Sequence, residues 1–193
     1  YYLKYINKEK LIETTQGFNP YLHKPVNEFN SKKYQTIFIG LGEKSRYNTI
    51  QNLINNSVEV FLSGNQWNSF IRKNKNNPYL VYKGKGIYDK TYVSAISSSY
   101  LGLGLISKTI PEKHTTRTFE IPACGTALVT EWNEEIASFY NNDEVIFYND
   151  ENDLINKIKF YLSNPDKLEK LTNRGYRKVV EGGFDYKTIL KSV

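Results

Sequence analysis

Methionine is absent from the 193-residue chain, and cysteine occurs once, at Cys124. One cysteine excludes a disulfide framework and fits a reducing compartment, so a cytoplasmic location is expected. That cysteine stands between Ala123 and Gly125 in an apolar turn, the setting of a buried, inert thiol. No stretch approaches the roughly 18 apolar residues of a membrane-crossing helix, and no signal-peptide pattern is visible. The full G-x-G-x-x-G fingerprint is missing, which argues against a dinucleotide cofactor. No Asp-x-Asp follows a predicted strand with further ligands in reach, so no metal is expected. Internal repeats and low-complexity tracts are lacking as well. A chain without methionine that starts on Tyr1 suits a segment of a longer protein.

What is present is a basic, tyrosine-rich α/β sequence. The net charge of +6 and the pI near 9.1 are compatible with nucleic acid or an anionic membrane as partner. The lysines and arginines are nevertheless spread along the chain among acids, Asn, Ile and Tyr, a mixture typical of AT-rich coding sequence. No nucleic-acid-binding motif accompanies them, so no nucleic acid is expected. A basic domain that holds a nucleotide diphosphate is the middle reading. The length allows one α/β domain with appendages.

Residues 1–33 read as the remnant of a preceding domain or as a linker. Leu3, Ile6 and Leu11 have a loosely helical spacing, and Thr14 to Lys33 is irregular, with Asn19-Pro20 and Pro25 as breakers. His23 within it is expected at the surface. From Tyr34 to Val193 strands and helices alternate. Tyr34–Ile39 predicts a strand that ends at Gly40-Leu41-Gly42, and Glu43–Asn55 an amphipathic helix. Strand, Gly-rich turn and helix form half of a βαβ unit, whose turn commonly meets phosphate. Lys44 and Arg46 stand just beyond that turn. Further strands are predicted at Val58–Leu62, Tyr79–Tyr82, Leu101–Ile106, Thr126–Thr130 and Glu144–Tyr148. Helices are predicted at Asn65–Lys73, with Trp67 and Phe70 inward, and at Ile87–Ser99, Trp132–Tyr140, Asn149–Leu162, Pro165–Glu181 and Tyr186–Val193. Asp150, Glu151 and Asp153 read as capping and first-turn acids rather than metal ligands. The strands are too uniformly apolar for one wet face, which predicts a Rossmann-like parallel sheet of about five or six strands with helices on both faces. Gly40–Gly42, the Lys83–Gly86 loop and the Glu112–Glu120 segment all follow strands, so they share one edge of that sheet.

The stretch Glu112 to Glu131, E-K-H-T-T-R-T-F-E-I-P-A-C-G-T-A-L-V-T-E, organises the rest. It reads as a polar loop with Glu112, His114, Thr115, Thr116 and Arg117, a short helix carrying Glu120, a Gly125 turn and a buried strand. Pro122 removes one backbone bond from that helix and shapes the turn. Polar groups around a helix start, beside glycine, suit a phosphate-bearing ligand.

Glu112 and Glu120 stand at the Glu-x7-Glu spacing of retaining glycosyltransferases of the GT-B fold. The run Arg117-Thr-Phe-Glu-Ile-Pro-Ala-Cys-Gly-Thr resembles the signature of the CgeB/YkvP-like group-1 glycosyltransferases. The likeness extends from about Gly40 to Tyr186 and is strongest over Leu101 to Glu181. It implies the C-terminal, donor-binding half of a two-domain enzyme, whose N-terminal domain and acceptor lie elsewhere. The second Glu, here Glu120, is implied to hold the ribose hydroxyls of a nucleotide-sugar such as a UDP- or GDP-sugar. Cys124, Gly125 and Thr126 are implied to lie against the diphosphate, with Lys44 and Arg46 in a region where a basic residue faces it. Glu112, with His114 nearby, is implied to face the sugar or acceptor. A transition state with charge growing on the leaving phosphate needs preorganised donors, and Arg117, Thr126, Lys44 and Arg46 are the candidates. The implied reaction is front-face attack with retention, without metal.

Two other classes remain open at this point. A non-catalytic nucleotide-sugar or carbohydrate-binding domain can use the same fold. A nucleic-acid-binding domain is the third class, carried by charge alone. Each candidate also has a structural role open to it. Glu120 can serve only to offset a helix dipole, and Lys44, Arg46, Arg117 and His114 can be solvated surface groups.

Overall fold

The computed structural model describes residues 4–5, 7–12 and 14–192. Leu3, Ile6 and Val193, which belong to predicted elements, lie outside the described residues. Six strands form one sheet: β1 (Tyr34–Ile39), β2 (Val60–Ser63), β3 (Leu80–Tyr82), β4 (Ser99–Leu103), β5 (Ala127–Glu131) and β6 (Ile146–Tyr148). Every neighbouring pair is parallel, in the order β3-β2-β1-β4-β5-β6. The fold is therefore the Rossmann-like α/β arrangement that the alternation predicts.

The helices are α1 (Lys44–Asn55), α2 (Asn68–Lys73), α3 (Asp89–Ser97), α4 (Arg117–Ala123), α5 (Glu134–Phe139), α6 (Glu151–Leu162), α7 (Pro165–Glu181) and α8 (Tyr186–Lys191). Predicted ends differ from these by a few residues, the usual uncertainty of frayed termini. Two apolar cores lie on the two faces of the sheet, because successive strand side chains alternate. Phe38, Leu62, Leu103 and Val129 pack with Ile50 and Leu53 of α1 and Leu154 and Ile158 of α6. Ile37, Ile39, Phe61 and Leu128 pack with Val93 and Ile96 of α3 and Phe119 and Ile121 of α4. Both faces are covered, as a parallel sheet requires.

Local chemistry sets the ends. The Asp150 carboxylate accepts from the Asn152 and Asp153 N–H groups and caps α6, as read from the sequence. Pro165 opens α7 at a position where its missing N–H costs nothing. Pro122 deprives the Thr118 carbonyl of its helical donor, and the buried Tyr140 hydroxyl donates to that carbonyl instead, at 2.9 Å. The irregular residues 17–32 pack tightly against the domain. Phe18 is buried and pairs with the 184–186 backbone, while the Ser97 hydroxyl accepts from the Val26 and Asn27 N–H groups. Among the described residues no helix is long and apolar enough to cross a membrane.

Candidate functional site

The strand order reverses between β1 and β4, and ligands of such sheets bind at the carboxyl ends of the strands beside that point. A cleft of about 450 Å³ opens there. Its floor is Ile39, Gly40 and Leu41 after β1 and Gly64 and Asn65 after β2. Gly86 to Asp89 close one side, and Tyr92, Thr116, Arg117 and Glu120 close the other, with Leu22 and His23 from the preceding segment. The glycine loops and the motif helix, predicted to share an edge, do share it.

The floor is built by close backbone approach. A Cβ on Gly64, whose φ is +146°, would fall on the Gly40 carbonyl. The Gly40 N–H donates to Ser63 at 3.0 Å and the Gly42 N–H to Asn65 at 2.9 Å. These amides join loop to loop, and Trp67 Nε1 donates to the Gly40 carbonyl at 2.9 Å. Gly42 has its place because a Cβ would sit 2.6 Å from the Gln66 carbonyl, not because its amide is turned to the cleft.

Glu120 stands in the wall with its side chain 15% exposed. Tyr92 donates its hydroxyl to Glu120 Oε2 at 2.8 Å, and His23 Nε2 lies 3.8 Å from Oε1. Burial, together with the adjacent carboxylate, pushes the Tyr92 hydroxyl well above its usual range. His23 is expected from sequence at the surface; it is instead 8% exposed, edge-on to Tyr92. Burial lowers its pKa against the opposing pull of Glu120. An irregular segment gives no periodicity from which that burial could be read.

Arg117, the first residue of α4, donates from Nη1 to the Ile39 carbonyl at 3.4 Å and lies over the Phe38 ring. Arg46 is 6% exposed and lies over the same ring, so it is not the solvated cation left open as an alternative. It donates to the Leu41 and Leu105 carbonyls, at 3.1 and 3.0 Å, and approaches Glu43 and Glu112 at 3.9 and 3.7 Å. The Nε atoms of Arg46 and Arg117 are buried without a hydrogen-bond partner. Lys44 is exposed and does not line the cleft. Two residues apart on a helix, Lys44 and Arg46 cannot face the same way.

Glu112 accepts from the Ser107 N–H at 2.8 Å and pairs with Arg46, so it reaches the site through that guanidinium. His114 is turned away: it pairs with Glu135 and the Thr15 hydroxyl and packs against Phe119 and Phe139. Gly125 and Thr126 precede β5 and therefore lie at the opposite, amino edge of the sheet, which corrects their placement against a diphosphate. Gly125, at φ +71°, packs on Pro25, and the buried Thr126 hydroxyl donates to the Ile96 carbonyl at 2.7 Å and accepts from Lys32. Cys124 is buried, and burial raises its thiol to about 12, as an inert thiol requires. Of the residues singled out beforehand, the cleft thus unites Gly40, Arg117 and Glu120 directly, with Arg46 and Glu112 behind them.

A family model of glycosyl transferase-like proteins matches residues 46–192. The chain belongs to that family. Among curated protein sequences none matches it. Solved structures share the fold of this glycosyl transferase-like domain. The sucrose-phosphate synthase of Thermosynechococcus elongatus superposes with a TM-score of 0.68 at 16% identity, covering 100% of this chain and 53% of that one. HepE of Anabaena, in complex with UDP and glucose, gives 0.69 at 15% identity, over 93% and 54%. The C-terminal domain of the group 1 family glycosyl transferase LpcC of Francisella tularensis gives 0.64 at 12% identity, over 86% and 97%. The domain thus spans about half the length of the first two proteins and nearly all of the isolated C-terminal domain. Its sheet and helices are those of one half of a GT-B glycosyltransferase.

Proposed function

We propose that this domain is the donor-binding half of a cytoplasmic, sugar-nucleotide-dependent glycosyltransferase of the CgeB/YkvP-like group, transferring a hexose with retention. The observation that carries the reading is the junction of one carboxylate, Glu120, and one guanidinium, Arg117, in a glycine-floored cleft at the reversal of strand order. HepE, which shares the fold, is described with UDP and glucose, and this supports a UDP-sugar as donor.

In this reading the nucleobase lies against Gly86, Ile87 and Tyr88, and Glu120 accepts the ribose hydroxyls. Arg117 faces the diphosphate, and Arg46, held by Glu43 and Glu112, adds positive potential behind it. As the glycosidic bond breaks, negative charge grows on the leaving phosphate, and a fixed guanidinium in a partly dry cleft stabilises it without reorganising. In this reading none of the described residues serves as a base toward an acceptor. That task belongs to a second, N-terminal domain, so the 193 residues alone bind a donor and transfer poorly. Arg117 and Arg46 meet the phosphate charge in this reading, so no metal takes part.

A thermal-shift screen of UDP-, GDP-, ADP- and CMP-sugars tests the reading. Ligand at a hundred times its Kd stabilises by about 2.7 kcal/mol, a clear rise in melting temperature. A rise with one nucleotide class and none with DNA supports it. No rise with any of them, or a rise with DNA, contradicts it.

A further inference from the structure

We infer that His23, on the segment that precedes the sheet, is a positioning residue that holds Glu120 for a ribose diol. The inference rests on the donor-binding reading above and adds a recognition element from outside the sheet and its helices.

The His23 ring is fixed at one end. Its Nδ1 accepts from the Asn19 N–H at 3.1 Å, and the His23 backbone N–H donates to the Asn19 carbonyl at 2.8 Å. An acceptor at Nδ1 leaves the proton of the neutral imidazole on Nε2. That atom faces Glu120 Oε1 at 3.8 Å, while Tyr92 donates to Oε2 at 2.8 Å. Tyr92 thus hydrogen-bonds one oxygen of the carboxylate, and the His23 N–H edge stands beside the other, beyond hydrogen-bond distance. With one of a carboxylate's roughly four lone-pair sites taken, the rest are open to a ligand that offers a pair of hydroxyls. Outer partners of this kind fix the orientation of the group that touches the ligand.

The segment is strapped at both ends of the turn that carries His23. Phe18 exchanges backbone hydrogen bonds with the 184–186 segment, its N–H donating to Phe184 at 3.2 Å and its carbonyl accepting from Tyr186 at 3.0 Å. On the other side the Ser97 hydroxyl accepts from Val26 and Asn27 at 2.9 and 3.1 Å. Leu22 and His23 are thereby presented to the cleft.

Two substitutions separate the ends of the ring. His23→Asn keeps an acceptor near Nδ1 for Asn19 and loses the donor toward Glu120. His23→Gln keeps a donor near Nε2 and loses the acceptor. Each variant is titrated with whichever of UDP, GDP and ADP the wild type binds tightest, and with its 2′,3′-dideoxy analogue. Loss of the Nε2–H beside Oε1 predicts about a two- to fivefold weaker affinity of His23→Asn for the ribose form, the low end of a hydrogen bond's worth. The dideoxy form should bind wild type and variant alike, because it offers Glu120 nothing. His23→Gln should bind the ribose form more tightly than His23→Asn does, even though it melts earlier. An equal loss for both ligands, or no loss at all, overturns the inference, and so does His23→Gln weakening as much as His23→Asn. Imidazole 15N shifts of the unmutated protein give a check that needs no variant. They should show Nε2–H and should move with the ribose nucleotide but not with its dideoxy form; any other pattern overturns the inference. Failure of the wild type to bind any of the three nucleotides removes the donor reading itself, whereas normal binding with a silent His23 removes only this one.

Discussion

Arg46 and Arg117 place their guanidinium carbons 5.5 and 5.6 Å from the centroid of one ring, that of Phe38. Two cations so arranged repel, and Arg46 registers it: burial first and the charge of Arg117 second lower its proton affinity. Glu43 and Glu112 pair with Arg46, whereas Arg117 makes no ion pair among the described residues. The uncompensated charge therefore faces the cleft, and an anion bound there relieves the repulsion.

Arg117→Met should weaken a nucleoside diphosphate about ten- to a hundredfold, the worth of a charge-assisted hydrogen bond. The nucleoside without phosphates should bind the variant as it binds the wild type. Calorimetric titration of both ligands checks this. Melting temperature should hold, because relief of the repulsion with Arg46 offsets the lost 3.4 Å bond to the Ile39 carbonyl and the contact over the Phe38 ring.

Arg46→Met has the opposite profile. It leaves Glu43 and Glu112 without their cation, and breaking such a partly buried cluster costs about 3 kcal/mol. Denaturant unfolding measures this. The cluster also has an acid limit. Burial alone would raise the Glu43 carboxyl, but hydrogen bonds from Ser45, Ser107 and the Lys108 N–H, with the Arg46 charge, bring it to about 2. A depressed acid stabilises fully above its unfolded pKa of about 4.3, and that stability is lost as pH falls toward the folded value. Ser107→Ala raises the folded value, so the loss should start at the same pH but level off at higher pH and be smaller in total.

Lys32 sets an alkaline trend. Buried at 8% exposure, it donates to the Ser97 carbonyl at 2.7 Å and has no carboxylate partner among the described residues. Burial lowers its pKa to about 8. Between that value and about 10.4 the unfolded chain binds the extra proton, so this group adds stability as pH rises through the window. Lys32→Met should flatten the rise in unfolding free energy measured across it.

Much of this architecture was legible because the signals are local. Runs such as Tyr34–Ile39 are β-branched and short, and Asp150 or Pro165 mark helix starts by chemistry that acts within a few residues. Glu120 and Arg117 were legible as a pair because one helical turn separates them. Gly125 and Thr126 were not, because distance along the motif is not distance from the ligand. The seven residues of α4 rise by about 10 Å and carry the chain from one edge of the sheet to the other. His23 was hidden for a related reason: its burial is made by Tyr92 and Glu120, contacts of long range in sequence. Gly40 and Gly42 stood in the right turn, yet their amides serve the neighbouring loop.

Nucleotide affinity should survive EDTA, since Arg117 and Arg46 supply the positive charge at the site. A tenfold weakening on chelation, about 1.4 kcal/mol, would show that a divalent ion carries part of the phosphate.

The central claim is that Glu120 holds a nucleotide's ribose at this cleft. Titration of UDP, GDP and ADP into the wild type and Glu120→Gln, with melting curves of both, tests it most directly. The substitution keeps the shape and removes the charge, and charge-assisted hydrogen bonds are worth roughly 1.5–3 kcal/mol each. The account predicts that one nucleotide binds the wild type and binds the variant about ten- to a hundredfold more weakly at an unchanged melting temperature. Equal affinity in the two proteins, or a loss matched by unfolding of the variant, would contradict it.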